Sequence, residues 1–251
     1  MKLPWLDPLV IEFPDTRQAM HEPNGLLCAG GDLSSAWLLK AYKRGIFPWF
    51  NEGDPILWWS PSPRMVIYPH QFHISRSLRK TLKQGSFRVT INSDFKAVID
   101  ACANCRRGDI SVAEPATWIT SKMTASYLQL HRAGHAQSIE VWQDDILCGG
   151  LYGIAIGRVF FGESMFSQMT NGSKIAIAHL VEYLKKWQYK LIDCQVHNNH
   201  LNSLGAIEID RLSFEQIIQQ YAFKADTTIT LPEWKPQDIT LTSDHWTTDR
   251  C

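Results

Sequence analysis

Residues 138–196 read SIEVWQDDILCGGLYGIAIGRVFFGESMFSQMTNGSKIAIAHLVEYLKKWQYKLIDCQV. The stretches 138–143, 147–156 and 158–162 have strand composition, with an Asp144-Asp145 turn after the first and Gly157 after the second. They predict an antiparallel meander. From 173 to 187 the period changes, because Ile177, Leu180, Val181 and Leu184 fall at i, i+3, i+4 and i+7, one face of a helix. A further strand is expected over 190–196. Meander, helix and strand together imply an α/β chain of the α+β kind, with a mixed, largely antiparallel sheet.

Upstream the texture differs. Within the first 60 or so residues, Pro14, Pro23, Asn24, Gly25, Gly30, Gly31, Pro48, Pro55 and Pro61 alternate with aromatics. Such spacing leaves room for one helix, over 34–43, capped by Asp32 or Ser34. We therefore divide the chain into a small N-terminal unit (1–62), a larger unit (63–225) and an irregular tail (226–251) that carries Pro232 and Pro236.

The 251 residues are 45% hydrophobic and 20% charged, a globular composition that excludes disorder as the main state. Twenty-five basic and 25 acidic side chains cancel, so any affinity for nucleic acid has to come from their placement. Near the start, Pro4, Asp7 and Pro8 interrupt what would be the apolar run of a signal peptide, and a cytoplasmic protein is expected. The apolar stretch 146–157 falls short of the roughly 18 residues that cross a membrane. Cys102 and Cys105 form a CxxC without a second ligand pair. His131 and His135 flank a glycine at a helix end, and His197 and His200 read as loop residues, so no metal is expected.

No acidic residue lies between Asp54 and Asp94, whereas Arg64, Arg76, Arg79, Lys80, Lys83 and Arg88 do. On a helix starting near Ile74, positions 76, 79, 80 and 83 share one face and Ile74, Leu78 and Leu82 the other. Two readings are open here, a solvated amphipathic helix and a contact for a phosphate backbone. Asp193 and Gln195, two apart in an expected strand, would point to one face. Their polarity on an apolar strand implies either structural partners or a shared task. Glu163, a lone carboxylate among aromatics in FFGESMF, needs either an internal cation or a cationic ligand.

The order of meander, helix and strand resembles the acyltransferase core of the GNAT type. Those enzymes bind coenzyme A pyrophosphate at a glycine-rich turn before a helix. The corresponding stretch here, GESMFSQMTNGSKIA (162–176), has no Q/R-x-x-G-x-G/A turn. Acetyl coenzyme A is therefore not the expected donor.

A series of longer motifs occurs in order: EPNGLLCAGGDLS (22–34), YKRGIFPWF (42–50), DPILWWSPSPR (54–64), HISRSLRK (73–80), TWIT (117–120), QSIEVW (137–142), FGESMFS (161–167) and LIDCQV (191–196). With them the chain resembles the leucyl/phenylalanyl-tRNA protein transferases from about residue 12 to 215. The resemblance implies a small N-terminal domain plus a GNAT-like domain. It also implies transfer of Leu, Phe or Met from aminoacyl-tRNA to an N-terminal Arg or Lys, marking the acceptor for N-end rule degradation. No cofactor beyond the aminoacyl-tRNA is implied, and no membrane partner.

By motif, Asp193 and Gln195 match the family's catalytic pair and Glu163 the glutamate near the acceptor terminus. Trp49 and Trp118 match the tryptophans that hold the 3′-terminal adenosine, for which base stacking is suited. Leu151, Phe160, Met165, Ile177, Leu180, Leu184 and Ile192 fall where the family lines its amino-acid pocket. The resemblance also favours a tRNA contact for Arg76, Arg79, Lys80 and Lys83. Two alternatives stand beside this reading, a GNAT-type N-acetyltransferase and a non-catalytic RNA-binding module.

Overall fold

The computed structural model describes residues 3–104, 119–223 and 230–247. In chain order its elements are β1 (Trp5–Leu6), β2 (Leu26–Gly30), α1 (Ser35–Tyr42), β3 (Phe47–Pro48), β4 (Leu57–Trp59), β5 (Arg64–Ile67), α2 (Arg76–Gln84) and β6 (Arg88–Ile91). They continue with α3 (Phe95–Asn104), α4 (Ser121–Arg132), β7 (Ala136–Gln143), β8 (Ile146–Ile156), β9 (Val159–Ser167) and α5 (Gly172–Lys186). The last are β10 (Leu191–Asp193), α6 (Asn199–Asn202), β11 (Ile207–Ile209), α7 (Arg211–Ile218) and β12 (Gln237–Asp238).

Two sheets result. The first, ordered β1-β2-β4-β3, belongs to the turn-rich N-terminal stretch. The second is ordered β11-β5-β10-β9-β8-β7-β6-β12 and is antiparallel except where β10 runs parallel to β9. It is a mixed, largely antiparallel sheet in an α/β chain.

Alternation along the strands divides the interior into two cores. Ile139, Val141, Leu151 and Phe160 face α5 and α2, which contribute Ile177, Leu180, Val181, Leu78 and Leu82. Tyr152, Ile154 and Phe161 point the other way, into a core shared with α3, α4 and the N-terminal sheet, including Trp37, Tyr42 and Trp58. The N-terminal unit is thus packed through a common core onto the large sheet. The segment 230–247 adds more than irregular chain. β12 pairs with β6, and Trp246 is buried against His179 of α5 with ring centroids 5.3 Å apart.

The helix expected over 34–43 is α1, with Ser34 at its N-cap, although Asp32 accepts the Ser34 N–H instead of capping the helix itself. Two differences from the expected strands shape the site. β9 extends to Ser167, five residues beyond the expected end, because a β-bulge at Glu163 breaks the period-2 pattern: Tyr152 pairs with Ser164 and Gly153 with Gly162. β10 stops at Asp193 instead of Val196, because Gln195 adopts a left-handed backbone with φ of 59° and turns the chain away from β9.

Candidate active site

β10 accompanies β9 only over Val159–Phe161 and then departs. The fork holds a cavity of about 320 Å³, whose wall on the α5 side is formed by Leu151, Phe160, Ile177, Leu180 and Ile192, with Met165 beside them. The opposite side carries Glu163, Asp193 and Gln195, and the N-terminal unit closes the rim with Phe47, Pro48 and Trp49.

The bulge in β9 makes this division possible. Period-2 alternation would put residues 163 and 165 on one face, but the extra residue shifts the register. Glu163 therefore follows Phe161 toward the tyrosines of α1 and α4, while Met165 packs toward α5.

The Tyr42 hydroxyl donates to Glu163 Oε1 at 2.7 Å and the Tyr127 hydroxyl to Oε2 at 2.6 Å, and the two hydroxyls are 2.6 Å apart. Burial pushes the Glu163 carboxyl up to about 7, against these hydrogen bonds; the Asp193 charge adds to the rise and Arg64 opposes it. Burial first, and then the Glu163 charge, hold both tyrosines protonated and so able to donate. Among the described residues Glu163 thus has no cation bonded to it, only two hydroxyls, and it keeps a carboxylate that a cationic ligand can claim.

Asp193 is not arranged as the strand spacing implied. Its carboxylate takes a two-pronged contact from Arg64, with Nε to Oδ1 and Nη2 to Oδ2 both at 2.7 Å, and both side chains are buried. Oδ1 also accepts the Gln195 backbone N–H at 3.1 Å. The Gln195 side chain donates from Nε2 to the Gly162 carbonyl at 2.6 Å. Asp193 therefore holds the backbone of Gln195, not its side-chain amide, because the left-handed turn at Gln195 removes the strand geometry that would align the two side chains.

The structure brings Glu163, Asp193, Gln195, Trp49, Leu151, Phe160, Met165, Ile177, Leu180 and Ile192 to this one cavity. Trp49 is 41% exposed and leans on Trp59 with ring centroids 5.5 Å apart, leaving ring surface for a stacking partner. Leu184 does not line the cavity. It lies one turn beyond Leu180 on α5, about 6 Å further along the axis, and is fully buried in the core. Trp118 and Cys105 lie outside the described residues.

Arg76, Arg79, Lys80 and Lys83 form a separate open groove with Gln84 and share no residue with the cavity. Leu78 and Leu82 are buried beneath them. Arg64 is not part of this surface charge, as the sequence had grouped it, because it is buried against Asp193. His200, read as a loop residue, stands in the single turn α6 and lines the cavity, where its Nε2 has no partner among the described residues. Tyr42, Tyr127, Arg64, Asn198 and His200 are site residues that the sequence reading did not single out. Tyr42 and Arg64 each stand at an end of a quoted motif, and Arg64 also falls in the basic interval between Asp54 and Asp94.

The start of α5 offers little to a pyrophosphate. The Gly172 N–H donates to Met169 O, and the Ser173 N–H donates to Ser167 Oγ at 2.7 Å. The helix end is also pressed onto β8, since a Cβ at Gly149 would come within 2.6 Å of the Gly172 backbone. Among the described residues no three His, Cys, Asp or Glu side chains converge as a metal ion would require.

The sequence pattern of the family described as leucyl/phenylalanyl-tRNA protein transferase matches residues 66–219, and that of its N-terminal domain matches residues 31–62. The chain is 55% identical over 219 residues to a leucyl/phenylalanyl-tRNA–protein transferase of Cellvibrio japonicus, covering 87% of this chain and 91% of that one. It is 53% identical over 219 residues to one from Pseudomonas syringae pv. syringae, covering 87% and 93%. Over 223 residues it is 51% identical to one from Methylococcus capsulatus, covering 89% and 92%. A GCN5-related N-acetyltransferase from Kribbella flavida is a distant structural likeness, with 9% identity and a TM-score of 0.32 over 66% of this chain and 58% of that one. On the sequence matches the chain belongs to the leucyl/phenylalanyl-tRNA protein transferase family.

Proposed function

We propose that the fork between β9 and β10 transfers Leu, Phe or Met from aminoacyl-tRNA to the N-terminal Arg or Lys of an acceptor protein in the cytoplasm, marking it for N-end rule degradation. The observation that carries this reading is the division of one cavity into an apolar wall against α5 and an anionic wall at Glu163. The apolar wall suits an unbranched or γ-branched hydrophobic side chain. Glu163, bonded to two tyrosine hydroxyls, suits a cationic one. Trp49 at the rim stacks the terminal adenosine, and the α2 groove follows the tRNA backbone.

The chemistry is undemanding. The aminoacyl ester is already activated, and an α-amino group with a pKa near 7.7–8.0 is in part neutral at physiological pH. Its nitrogen attacks the ester carbonyl, the carbon–oxygen bond to the ribose breaks, and the proton lost by the amine ends on the released ribose oxygen. No further cofactor enters this balance. The protein's contribution is position, with Gln195 aligning the amine and Glu163 holding the adjoining side chain. A coenzyme A-dependent acetyltransfer is disfavoured by the satisfied start of α5.

The test is incubation with labelled Leu-tRNA and a peptide that begins with Arg, beside one that begins with a neutral residue. Label should pass to the Arg peptide. Retention of all label on the tRNA would defeat the proposal.

A further inference from the structure

Arg64 does not line the cavity, yet it is buried directly behind Asp193, which does. Its guanidinium lies between two rings, 4.7 Å from the Phe47 centroid and 4.6 Å from that of Phe214. Nη1 donates to the Gly45 carbonyl at 3.1 Å, and Nε and Nη2 grip the two oxygens of Asp193. Gly45 and Phe47 belong to the N-terminal unit, and Asp193 is the last residue of β10.

We infer that Arg64 is a positioning residue for transfer: it locks the Asp193 carboxylate in the rotamer that holds the Gln195 N–H, and so fixes the left-handed turn that points Gln195 at the fork. Three consequences follow from the geometry. Asp193 has both oxygens bonded to a buried guanidinium, so it serves as an anchor and not as the group that takes the amine proton. The fork of the guanidinium matters as well as its charge, because an ammonium cannot span both oxygens and the Gly45 carbonyl at once. The rim that carries Trp49 is fixed relative to Gln195 through the chain Phe47–Arg64–Asp193, so donor and acceptor positions share one support.

This inference rests on the aminoacyl-transfer reading above, and one experiment separates the two. Wild-type, Arg64→Lys and Arg64→Ala chains are compared for Leu-tRNA binding by filter titration, for thermal melting, and for single-turnover transfer to an Arg-initiated peptide. Arg64→Ala is also assayed with added methylguanidinium or methylammonium. Arg64→Lys should melt cooperatively and bind Leu-tRNA within about twofold of wild type, while its transfer rate falls by about tenfold or more. Methylguanidinium, but not methylammonium, should restore transfer to Arg64→Ala in a saturable way. An Arg64→Lys rate equal to that of an active wild type overturns the inference alone. Losses of rate that merely follow lost melting in both variants overturn it too, by returning Arg64 to the core. An inactive wild type removes the transfer reading and the inference with it.

Discussion

Glu163 shows how one residue can be set by surroundings that its own neighbours in sequence do not announce. Among aromatics a carboxylate needed a partner, and the sequence allowed an internal cation or a ligand. The partners are instead two tyrosines, one of them 121 residues away. Because its folded-state pKa of about 7 lies above the ordinary 4.5, the folded chain keeps a proton that the unfolded chain has released between those values. Its contribution to stability is therefore full below about 4.5 and lost as pH rises through about 7. Glu163→Gln should flatten that dependence, gaining on wild type between pH 5 and pH 8 by at most about 3 kcal/mol, read from melting at the two values. Function runs the opposite way, since a cationic acceptor needs the ionised carboxylate. The preference for Arg over a neutral first residue should rise with pH through about 7 in wild type and be low and flat in Glu163→Gln. Taking the ratio of the two peptides cancels the ionisation of their common α-amine. A preference that is unchanged by the substitution would sever Glu163 from the acceptor.

At the scale of elements, regular periods were legible and their interruptions were not. The meander strands and α5 lie close to where the apolar spacing put them, since a buried face requires that spacing. The end of β9 and the end of β10 were missed because a bulge and a left-handed residue have no periodic signature, and these two irregularities open the fork. The basic face of α2 was legible for the same reason as α5, with Leu78 and Leu82 buried and the charges outward. Since Arg76 and Lys80 are exposed, Arg76→Glu with Lys80→Glu should leave the melting transition in place. Affinity for tRNA should fall, and the slope of log K against log salt should become shallower by about 0.7 to 0.9 for each lost phosphate contact. An unchanged slope in filter titrations would make α2 a solvated helix and nothing more.

For the whole molecule, the decisive contacts join segments that no local pattern connects. Arg64 and Asp193 are 129 residues apart, and the sequence placed the first in a run of positive charge and the second in a strand with no partner named. The two sheets are built from residues on either side of position 62, but the shared core and the Arg64 contacts make the N-terminal stretch one wall of the site. Half of the residues that line the cavity stand among those the family resemblance named, because motifs carry three-dimensional information that spacing alone does not. The resemblance had no means of separating Leu184, a core residue, from Leu180, a lining one. In the proposed mechanism the fork accelerates transfer by alignment at Gln195. The decisive measurement is single-turnover transfer of Leu from prebound Leu-tRNA to an Arg-initiated peptide by wild-type and Gln195→Ala chains. Gln195→Ala should lose rate on the order of 100-fold with Leu-tRNA affinity and melting unchanged, and a rate within twofold of wild type would remove the alignment role from Gln195.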